Sequence, residues 1–125
     1  MSRDAVANVA GPPPAGPFSS AVWAAGLLHV SGVVGQEPET GALVSGDIAA
    51  QAEQALANLA TVLSAAGKTL DDVVRVGVYL TDMSTFAAIN SVYEKHFRSP
   101  YPARTSIGVV ALPLGAGVEI DAVVG

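Results

Sequence analysis

The chain has 125 residues, the size of a single domain, and contains no cysteine, which excludes disulfides, thiolate chemistry and zinc–thiolate sites. The six basic residues are scattered and the net charge is −5, so nucleic acid, which needs a basic patch, is disfavoured as a partner. Charged residues make up only 14% of the chain, against roughly 25% in a typical soluble domain.

The excess of apolar residues indicates either insertion into a membrane or apolar surface that is buried between subunits. The longest apolar runs, such as AVWAAGLLHV, extend over about ten residues, whereas a spanning helix needs about twenty. We therefore expect subunit contacts and no membrane partner. The first residues show no apolar core of signal-peptide length, which predicts a cytoplasmic location.

The first elements along the chain are an arm and a hairpin. Residues 1–17 end in GPPPAGP and are predicted to form an irregular arm, because proline fixes its own φ and disfavours helix in its neighbour. Residues 19–34 contain two apolar runs separated by Gly26, a pattern typical of a tight β-hairpin. The segment GQEPETGALVSG follows and is predicted to be a surface loop.

The strongest helical pattern lies in residues 48–66, where apolar residues recur every three or four positions. Asp47 stands directly before this pattern and is a suitable N-cap residue. Gly67 stands directly after it and is a suitable stop, because glycine readily adopts the left-handed conformation that ends many helices. The sequence therefore predicts a long amphipathic helix with both ends defined.

The second half of the chain predicts a strand, a helix and two more strands. The predicted strand is VVRVGVYL, which is rich in β-branched residues. The predicted helix is TDMSTFAAINSVYEKHF, which has helical spacing and a cap near Asp82 or Ser84. The last two predicted strands are ARTSIGVV and GVEIDAVV. In the order β-β-α-β-α-β-β, five strands and two helices are expected to form one unit over residues 1–125, in which the helices cover at most one face of the sheet. The other face needs cover from elsewhere.

Two charged residues stand out in the apolar C-terminal strands. In extended conformation Arg104 shares a strand face with Ser106 and Gly108, and Glu119 shares one with Asp121. If these strands are neighbours, or meet across subunits, Arg104 and Glu119 could line one pocket. The arginine would then bind a carboxylate, and the glutamate would orient or deprotonate a water. The alternative is structural, with a salt bridge between the two or from each to another partner.

Other polar residues give weaker signals. His29 is interpreted as a satisfied, partly buried histidine, since no second metal ligand stands at a useful spacing. His96 lies near the end of the second predicted helix, where a cation favours the helix dipole. The chain contains no P-loop, dinucleotide-binding fingerprint, GxSxG or HExxH motif. We therefore expect no metal and no organic cofactor.

The motifs resemble those of the RidA (YjgF/YER057c/UK114) family from about residue 12 to residue 124. The segments that carry the resemblance occur in the family's order: GPFSSAV, LLHVSG, LTDMSTFAAINSVYEKHF, PART and LPLGAGVEIDAV. The resemblance implies an α+β fold like that of chorismate mutase, with a mixed sheet and two helices on one face. It also implies a homotrimer, whose sheets pack into a central barrel with clefts between subunits. Members with the arginine look like reactive imine or enamine deaminases. They convert 2-imino acids, such as those derived from 2-aminoacrylate, to 2-keto acids and ammonia without a cofactor.

The resemblance also implies roles for individual residues. Arg104 would clamp the carboxylate of the substrate, and Glu119 would position the attacking water. Ser31 and Gly32 would lie along the cleft, and Asn90 would support the pocket.

Three positions depart from the common pattern of the family, and one of them is Val33, which follows VSG where glutamine is common. Ser106 stands where many relatives carry cysteine, so oxidative activation through that position is excluded. Phe18 stands where many relatives carry tyrosine, so it would serve only as an apolar wall of the substrate site. These changes leave the carboxylate clamp intact and bear on substrate range and rate.

Further interpretations of function remain open at the level of sequence. One is a non-catalytic trimer that binds 2-keto acids or similar small carboxylates and has a regulatory or chaperone-like role. Another is the ribonuclease activity with which some relatives are labelled, which the acidic charge and the lack of an evident catalytic histidine pair disfavour. Turnover separates the first from the deaminase, and salt-dependent RNA binding tests the second.

Overall fold

The computed structural model describes residues 2–125 and shows a mixed six-stranded sheet with two α-helices on one of its faces. The elements are β1 (Asp4–Ala5), β2 (Ala21–Ala24), β3 (Leu27–Val34), α1 (Ile48–Ala65), β4 (Val73–Leu80), α2 (Phe86–His96), β5 (Ala103–Gly108) and β6 (Val118–Val124). The predicted order of elements is confirmed with one strand added. The sheet of one chain is open and does not close into a barrel.

The added strand corrects the prediction of a wholly irregular N-terminal arm. Asp4 and Ala5 pair with Trp23 and Val22 of β2 in antiparallel register. Backbone groups on the outer edge of β2 would otherwise have no strand partner, and pairing with the arm satisfies them. A two-residue strand has too few side chains to show a pattern in the sequence.

The strand order across the sheet is β1-β2-β3-β6-β4-β5. All neighbours are antiparallel except β4 and β5, which are parallel and are connected through α2. The last strand along the chain, β6, thus lies in the middle of the sheet between β3 and β4. This topology places β5, with Arg104, at one edge and β6, with Glu119, near the centre.

Local sequence signals explain the hairpin and the first helix. Ala25 and Gly26 both have positive φ, of 53° and 75°, which is the two-residue turn that favours a twisted hairpin. At the start of α1 the Asp47 side chain accepts a hydrogen bond from the backbone N–H of Ala50 at 3.0 Å. Gly67, with φ of 73°, ends the helix in the left-handed conformation, as predicted.

The start of α2 is reached in two steps. Asp82 caps a short 3₁₀ turn, Met83–Thr85, by accepting a hydrogen bond from the backbone N–H of Ser84 at 2.9 Å. The α-helix proper begins at Phe86, so the predicted cap near Asp82 or Ser84 is confirmed one 3₁₀ turn before the helix.

The hydrophobic core lies between the helices and one face of the sheet. Val76 and Val78 of β4, with Ile120 of β6, have no solvent exposure. The largest helix side chains packed against this face and fully buried are Leu56, Leu59, Leu63 and Ile89. Each such side chain contributes about 1.5–3 kcal/mol on burial, so this packing fixes the orientation of the sheet beneath both helices.

The opposite face of the sheet carries no helix within residues 2–125. We call it the open face. Its side chains include Tyr79 of β4, Ile107 of β5 and Glu119 of β6, which lie side by side in register. Ile107 is 45% exposed, as expected for an apolar residue on an uncovered sheet. As predicted, the elements of one chain leave this face of the sheet uncovered.

Candidate active site

Arg104 lies on the helix side of the sheet, at the edge formed by β5. It pairs in register with Val76, whose side chain is fully buried beneath the helices. Its Nε donates a hydrogen bond to the Oγ of Ser106 at 2.8 Å, and its Nη2 donates one to the Oδ1 of Asn90 at 2.6 Å. The strand supplies one of these partners and α2 supplies the other, so the side chain is held from two elements.

Two aromatic rings of α2 also contact the guanidinium. Its Cζ lies 4.6 Å from the ring centroid of Tyr93 and 5.3 Å from that of Phe86, both within the range of cation–π attraction. Tyr93 in turn stacks on Phe97, with ring centroids 4.4 Å apart. We call Arg104, Asn90, Ser106, Tyr93 and Phe86 the arginine half-site.

The guanidinium keeps part of its donor surface available. Among residues 2–125, Nη1 of Arg104 has no hydrogen-bond partner and no carboxylate forms an ion pair with this side chain. An arginine that is oriented but not neutralised can bind a carboxylate from outside the chain. The structural alternative, an ion pair between Arg104 and Glu119, does not occur in this chain.

The Tyr93 hydroxyl is a second unsatisfied polar group in the arginine half-site. Tyr93 is 5% exposed, and its hydroxyl oxygen is buried without a hydrogen-bond partner among the described residues. Burial raises the pKa of Tyr93, and both the positive charge and the N–H donors of the nearby Arg104 guanidinium oppose this effect. The hydroxyl therefore stays protonated at neutral pH.

Glu119 lies on the open face, where a bulge in β3 makes room for it. Ser31 and Gly32 interrupt the pairing of β3 with β6 between Val30 and Val33. A Cβ at Gly32 would lie 2.8 Å from both the Cδ and the Oε1 of Glu119, closer than such atoms can approach. The missing side chain at Gly32 is therefore what allows the carboxyl group to occupy this position.

Glu119, Gly32, Ser31 and Phe18 line a cleft of about 360 Å³, and we call them the carboxylate half-site. The Ser31 hydroxyl donates a hydrogen bond to the backbone oxygen of Ser19 at 2.6 Å, which fixes the side chain. Phe18 is 53% exposed and supplies an apolar wall. Leu114, 55% exposed, also lines the cleft.

The environment of Glu119 changes its affinity for a proton. Partial burial raises the pKa of the Glu119 carboxyl, and the negative charge of Asp121 raises it further. No hydrogen bond from the described residues offsets these effects. A carboxylate whose pKa is raised is a stronger base and can also return the proton, which suits it to activate water.

The two half-sites lie on opposite faces of the sheet of one chain. Arg104 is level with Val76 and so points to the helix side, whereas Glu119 is level with Tyr79 and points to the open face. β4 separates β5 from β6, so the strands that carry the two residues are not neighbours. One of the two conditions under which these residues would share a pocket, adjacent strands, is therefore not met. The other, a meeting across subunits, stays a prediction.

The two histidines are outside both half-sites. His96 makes a 2.7 Å contact between its Nε2 and the Oε2 of Glu53, which ties α2 to α1. His29 is exposed on β3, not partly buried as predicted, because it projects from the open face. Within residues 2–125, no three His, Asp or Glu side chains are grouped closely enough to hold a metal ion. In the same range, no helix has both the length and the apolarity to cross a membrane.

Sequence reasoning missed Phe86 and Tyr93 as parts of the site, because aromatic residues at helical spacing more often belong to the core. Tyr93 does belong to the core, and it also contacts Arg104. A signal was available in the helix pattern. Asn90, already a candidate, is three residues before Tyr93 and four after Phe86, and residues so spaced share one face of a helix.

Comparison with known proteins places these half-sites in context. Residues 9–125 match the family model described as Endoribonuclease L-PSP. The human 2-iminobutanoate/2-iminopropanoate deaminase is 40% identical over 123 residues, which cover 98% of this chain and 90% of that protein. A RutC family protein of Pyrococcus horikoshii is 43% identical over 112 residues, or 90% of this chain and 89% of the relative.

Solved structures agree with the sequence comparison. The crystal structure of RidA from the Antarctic bacterium Psychrobacter sp. superimposes with a TM-score of 0.91 at 40% identity, covering 97% of this chain and 98% of that one. E. coli TdcF with bound serine gives a TM-score of 0.87 at 30% identity, covering 97% of each chain. The chain therefore belongs to the RidA family, described as Endoribonuclease L-PSP, as the order of its motifs predicts.

Proposed function

We propose that the protein hydrolyses reactive 2-imino acids, including those formed from enamines such as 2-aminoacrylate, to 2-keto acids and ammonia. The observation that carries this proposal is the state of Arg104. Its guanidinium is held by Asn90 and Ser106, yet it has no carboxylate partner among the described residues. Relatives at 40% identity are named 2-iminobutanoate/2-iminopropanoate deaminases, which gives the same substrate class.

The arginine half-site supplies binding and orientation. Arg104 would hold the substrate carboxylate, and each charge-assisted hydrogen bond is worth about 1.5–3 kcal/mol. Because Asn90, Ser106 and the ring of Tyr93 already fix the guanidinium, little side-chain entropy is lost on binding. This half-site therefore favours substrates that carry a carboxylate.

The carboxylate half-site supplies the proton transfers. Glu119 takes a proton from water as the water oxygen bonds to the imine carbon, the second bond of C=N breaks, and Glu119 passes the proton to the nitrogen to give a carbinolamine. Glu119 then takes the proton of the carbinol hydroxyl and delivers it to the amino group. The carbon–nitrogen bond breaks as the carbinol oxygen becomes the keto oxygen, and ammonia departs. An imine carbon is already electrophilic, so positioning the water and the substrate can provide much of the rate increase. The chain needs no covalent nucleophile and no organic cofactor for this route.

We also propose that the complete site lies between two subunits of a homotrimer. The arginine and carboxylate half-sites face opposite sides of the sheet, so one chain does not bring them together. The open face lacks cover within residues 2–125, and several large apolar side chains are exposed. They include Phe18, Ile107, Val110 and Leu114. A neighbouring copy that packs on these surfaces would bury them and could bring its Glu119 toward Arg104.

Free imines hydrolyse quickly, so an enzyme must meet them where they form, and we propose that the protein does so in the cytoplasm. The net charge of −5 argues against nucleic acid as a substrate, despite the word endoribonuclease in the family description. RNA binding that weakens steeply with salt would contradict this part of the proposal.

A coupled assay tests the reaction. An amino acid oxidase generates a 2-imino acid, semicarbazide traps it, and loss of the semicarbazone signal reports deaminase turnover. We expect activity in the wild-type protein and in Arg98→Ala, whose side chain makes only a surface ion pair with Asp71. We expect Arg104→Ala to lose nearly all of this activity. Inactivity of the wild-type protein across several amino acids would favour a non-catalytic trimer that binds small carboxylates.

Mixing two inactive variants tests the shared site. Arg104→Ala and Glu119→Gln chains are co-expressed at equal levels so that mixed assemblies form. If each site takes its arginine from one chain and its glutamate from another, about a quarter of the sites in random mixtures carry both residues. Recovered activity near that level supports the shared site. Activity no higher than that of either variant alone, in assemblies shown to be mixed, would contradict it.

A further inference from the structure

The open face carries a second carboxylate next to Glu119, with a tyrosine attached to it. Asp121 is two residues from Glu119 on β6 and points to the same face. Tyr79 of β4 is level with Glu119, and its hydroxyl donates a hydrogen bond to the Oδ2 of Asp121 at 2.8 Å. The tyrosine thus reaches diagonally across the two strands to the neighbouring carboxylate.

A glycine makes room for this pair. Gly77 of β4 is level with Asp121, and a Cβ at this position would overlap the Oδ1 of Asp121. The same Cβ would lie 2.8 Å from the hydroxyl oxygen of Tyr79. The Tyr79 hydroxyl and the Asp121 carboxyl group therefore occupy space that the Cβ of any other residue at position 77 would fill.

We propose that Asp121, held by Tyr79 over Gly77, is a positioning residue for Glu119 and sets the pH range in which Glu119 exchanges protons with water and substrate. This inference rests on the proposed deaminase function. It assigns a role to a charge and a hydrogen bond that the reaction scheme above does not use.

The difference between the two carboxylates supports this role. Asp121 accepts a hydrogen bond from Tyr79, which stabilises its negative charge, whereas no described residue donates one to Glu119. When two carboxylates are close together, the one without donors is the one that takes up the proton. Burial raises the pKa of Glu119, and the charge of Asp121 adds to that rise. The two carboxyl groups therefore differ in their surroundings: Asp121 is anchored by a hydrogen bond, whereas Glu119 has no donor and a raised pKa.

The other titratable or charged groups near this face are Arg75, His29 and Arg3, the last of which lines a cleft together with His29. Arg75 of β4 and His29 of β3 are both level with Val123, which is two residues beyond Asp121. The Nη2 of Arg75 donates a hydrogen bond to the Oγ1 of Thr105 at 3.1 Å, so this cation is directed toward β5. The bulge in β3 and the Phe18 wall add no charge. Among the charges within residues 2–125, that of Asp121 is the one that raises the pKa of Glu119.

The test compares two substitutions with a matched control. Asp121→Asn removes the charge and keeps an oxygen that can accept the Tyr79 hydrogen bond. Tyr79→Phe removes the hydrogen bond and keeps the charge. Glu94→Gln removes one negative charge from an exposed position on α2, on the other side of the sheet. For each protein, the titration of the Glu119 carboxyl carbon is followed by NMR, and kcat/KM is measured against pH.

We expect the Glu119 titration and the acid limb of kcat/KM to move together to lower pH in Asp121→Asn. The direction follows because loss of a neighbouring negative charge makes ionisation of Glu119 easier. Tyr79→Phe should give a smaller shift in the same direction, since an untethered Asp121 can turn toward solvent. KM should change little in either variant, and Glu94→Gln should match the wild type.

Two results have distinct meanings. If the Glu119 titration stays at its wild-type position in Asp121→Asn, the positioning role is wrong, whatever the activity of the protein. If the wild-type protein shows no deaminase activity while the Glu119 titration does move, the proposed function is wrong and the coupling between the carboxylates stands.

Discussion

The arginine half-site and the carboxylate half-site are built by opposite means. Arg104 is held by contacts, with two side-chain hydrogen bonds and an aromatic ring beneath it. Glu119, in contrast, occupies a space that Gly32 leaves open, and no described residue donates a hydrogen bond to its carboxyl group. The guanidinium that is proposed to bind the substrate is thus fixed in orientation. The carboxyl group that is proposed to exchange protons has no hydrogen-bond donor.

We expect activity to be more sensitive to substitutions in the arginine half-site than to substitutions in the carboxylate half-site. Arg104→Ala should lower kcat/KM by about 10²- to 10⁴-fold, because two charge-assisted hydrogen bonds are worth about 3–6 kcal/mol. Arg104→Lys should lose most of the same activity, because a point charge replaces a planar fork. Steady-state kinetics measure both variants, with Arg98→Lys as the control. Near-normal activity in Arg104→Lys would show that the geometry of the clamp matters little.

The carboxylate half-site should respond to a single methyl group. Gly32→Ala places a carbon 2.8 Å from the Cδ of Glu119, so the carboxyl group must move. We expect kcat to fall about tenfold or more with KM little changed, since misplacing a reacting group by about 1 Å can cost roughly 100-fold. Thermal unfolding serves as the control for folding. A wild-type kcat in a folded Gly32→Ala protein would mean that the position of Glu119 is unimportant.

The raised pKa of Glu119 should also appear in stability. The folded protein binds the Glu119 proton more tightly than the unfolded chain does. This contribution to stability is therefore fully present below the ordinary pKa of glutamate and is lost as pH rises through the raised pKa. We expect Glu119→Gln to be more stable than the wild type at neutral pH, with the advantage vanishing in acid.

Urea unfolding of both proteins across this pH range measures the difference. An advantage of Glu119→Gln that is independent of pH would show that the carboxyl group destabilises the fold by its shape and not by its charge.

The smallest effect is expected at the Tyr93 hydroxyl. This oxygen is buried without a partner among the described residues, and leaving such a group unsatisfied costs about 1–3 kcal/mol. Tyr93→Phe should therefore keep or raise the melting temperature and leave kcat/KM within about threefold of the wild type, because the ring that contacts Arg104 is retained. A larger loss of activity at unchanged stability would mean that the hydroxyl contacts the substrate.

The sequence predicted those parts of the fold that depend on neighbours along the chain. The apolar spacing of α1 with Asp47 and Gly67 at its ends, and the hairpin at Gly26, are local signals. β1 was missed because its two residues are defined only by pairing with β2, more than fifteen positions away. The Tyr79–Asp121 pair was missed for the same reason, since its hydrogen bond joins residues 42 positions apart.

The sequence indicated which residues belong to the candidate site, but not how they lie relative to one another. The alternation of strand residues predicted that Arg104 shares a face with Ser106, and their hydrogen bond agrees with this. Which side of the sheet that face takes depends on the parallel pairing of β5 with β4, which no local pattern encodes. The position of β6 between β3 and β4 is equally non-local. Neither the separation of the two half-sites nor their opposite orientation was therefore visible in the sequence.

The central position of β6 has a consequence for how the molecule folds. Until β6 docks, β3 and β4 each expose an edge of unpaired backbone groups. The two strands are separated along the chain by α1, which packs against β3 and β6. Contacts that join distant segments form slowly, because the entropy of closing a long loop is lost before pairing repays it. An intermediate that lacks β6 would expose two strand edges whose unpaired backbone groups can pair with other nascent chains. Aggregation during synthesis is thus the hazard of placing a site residue on the strand that closes the sheet.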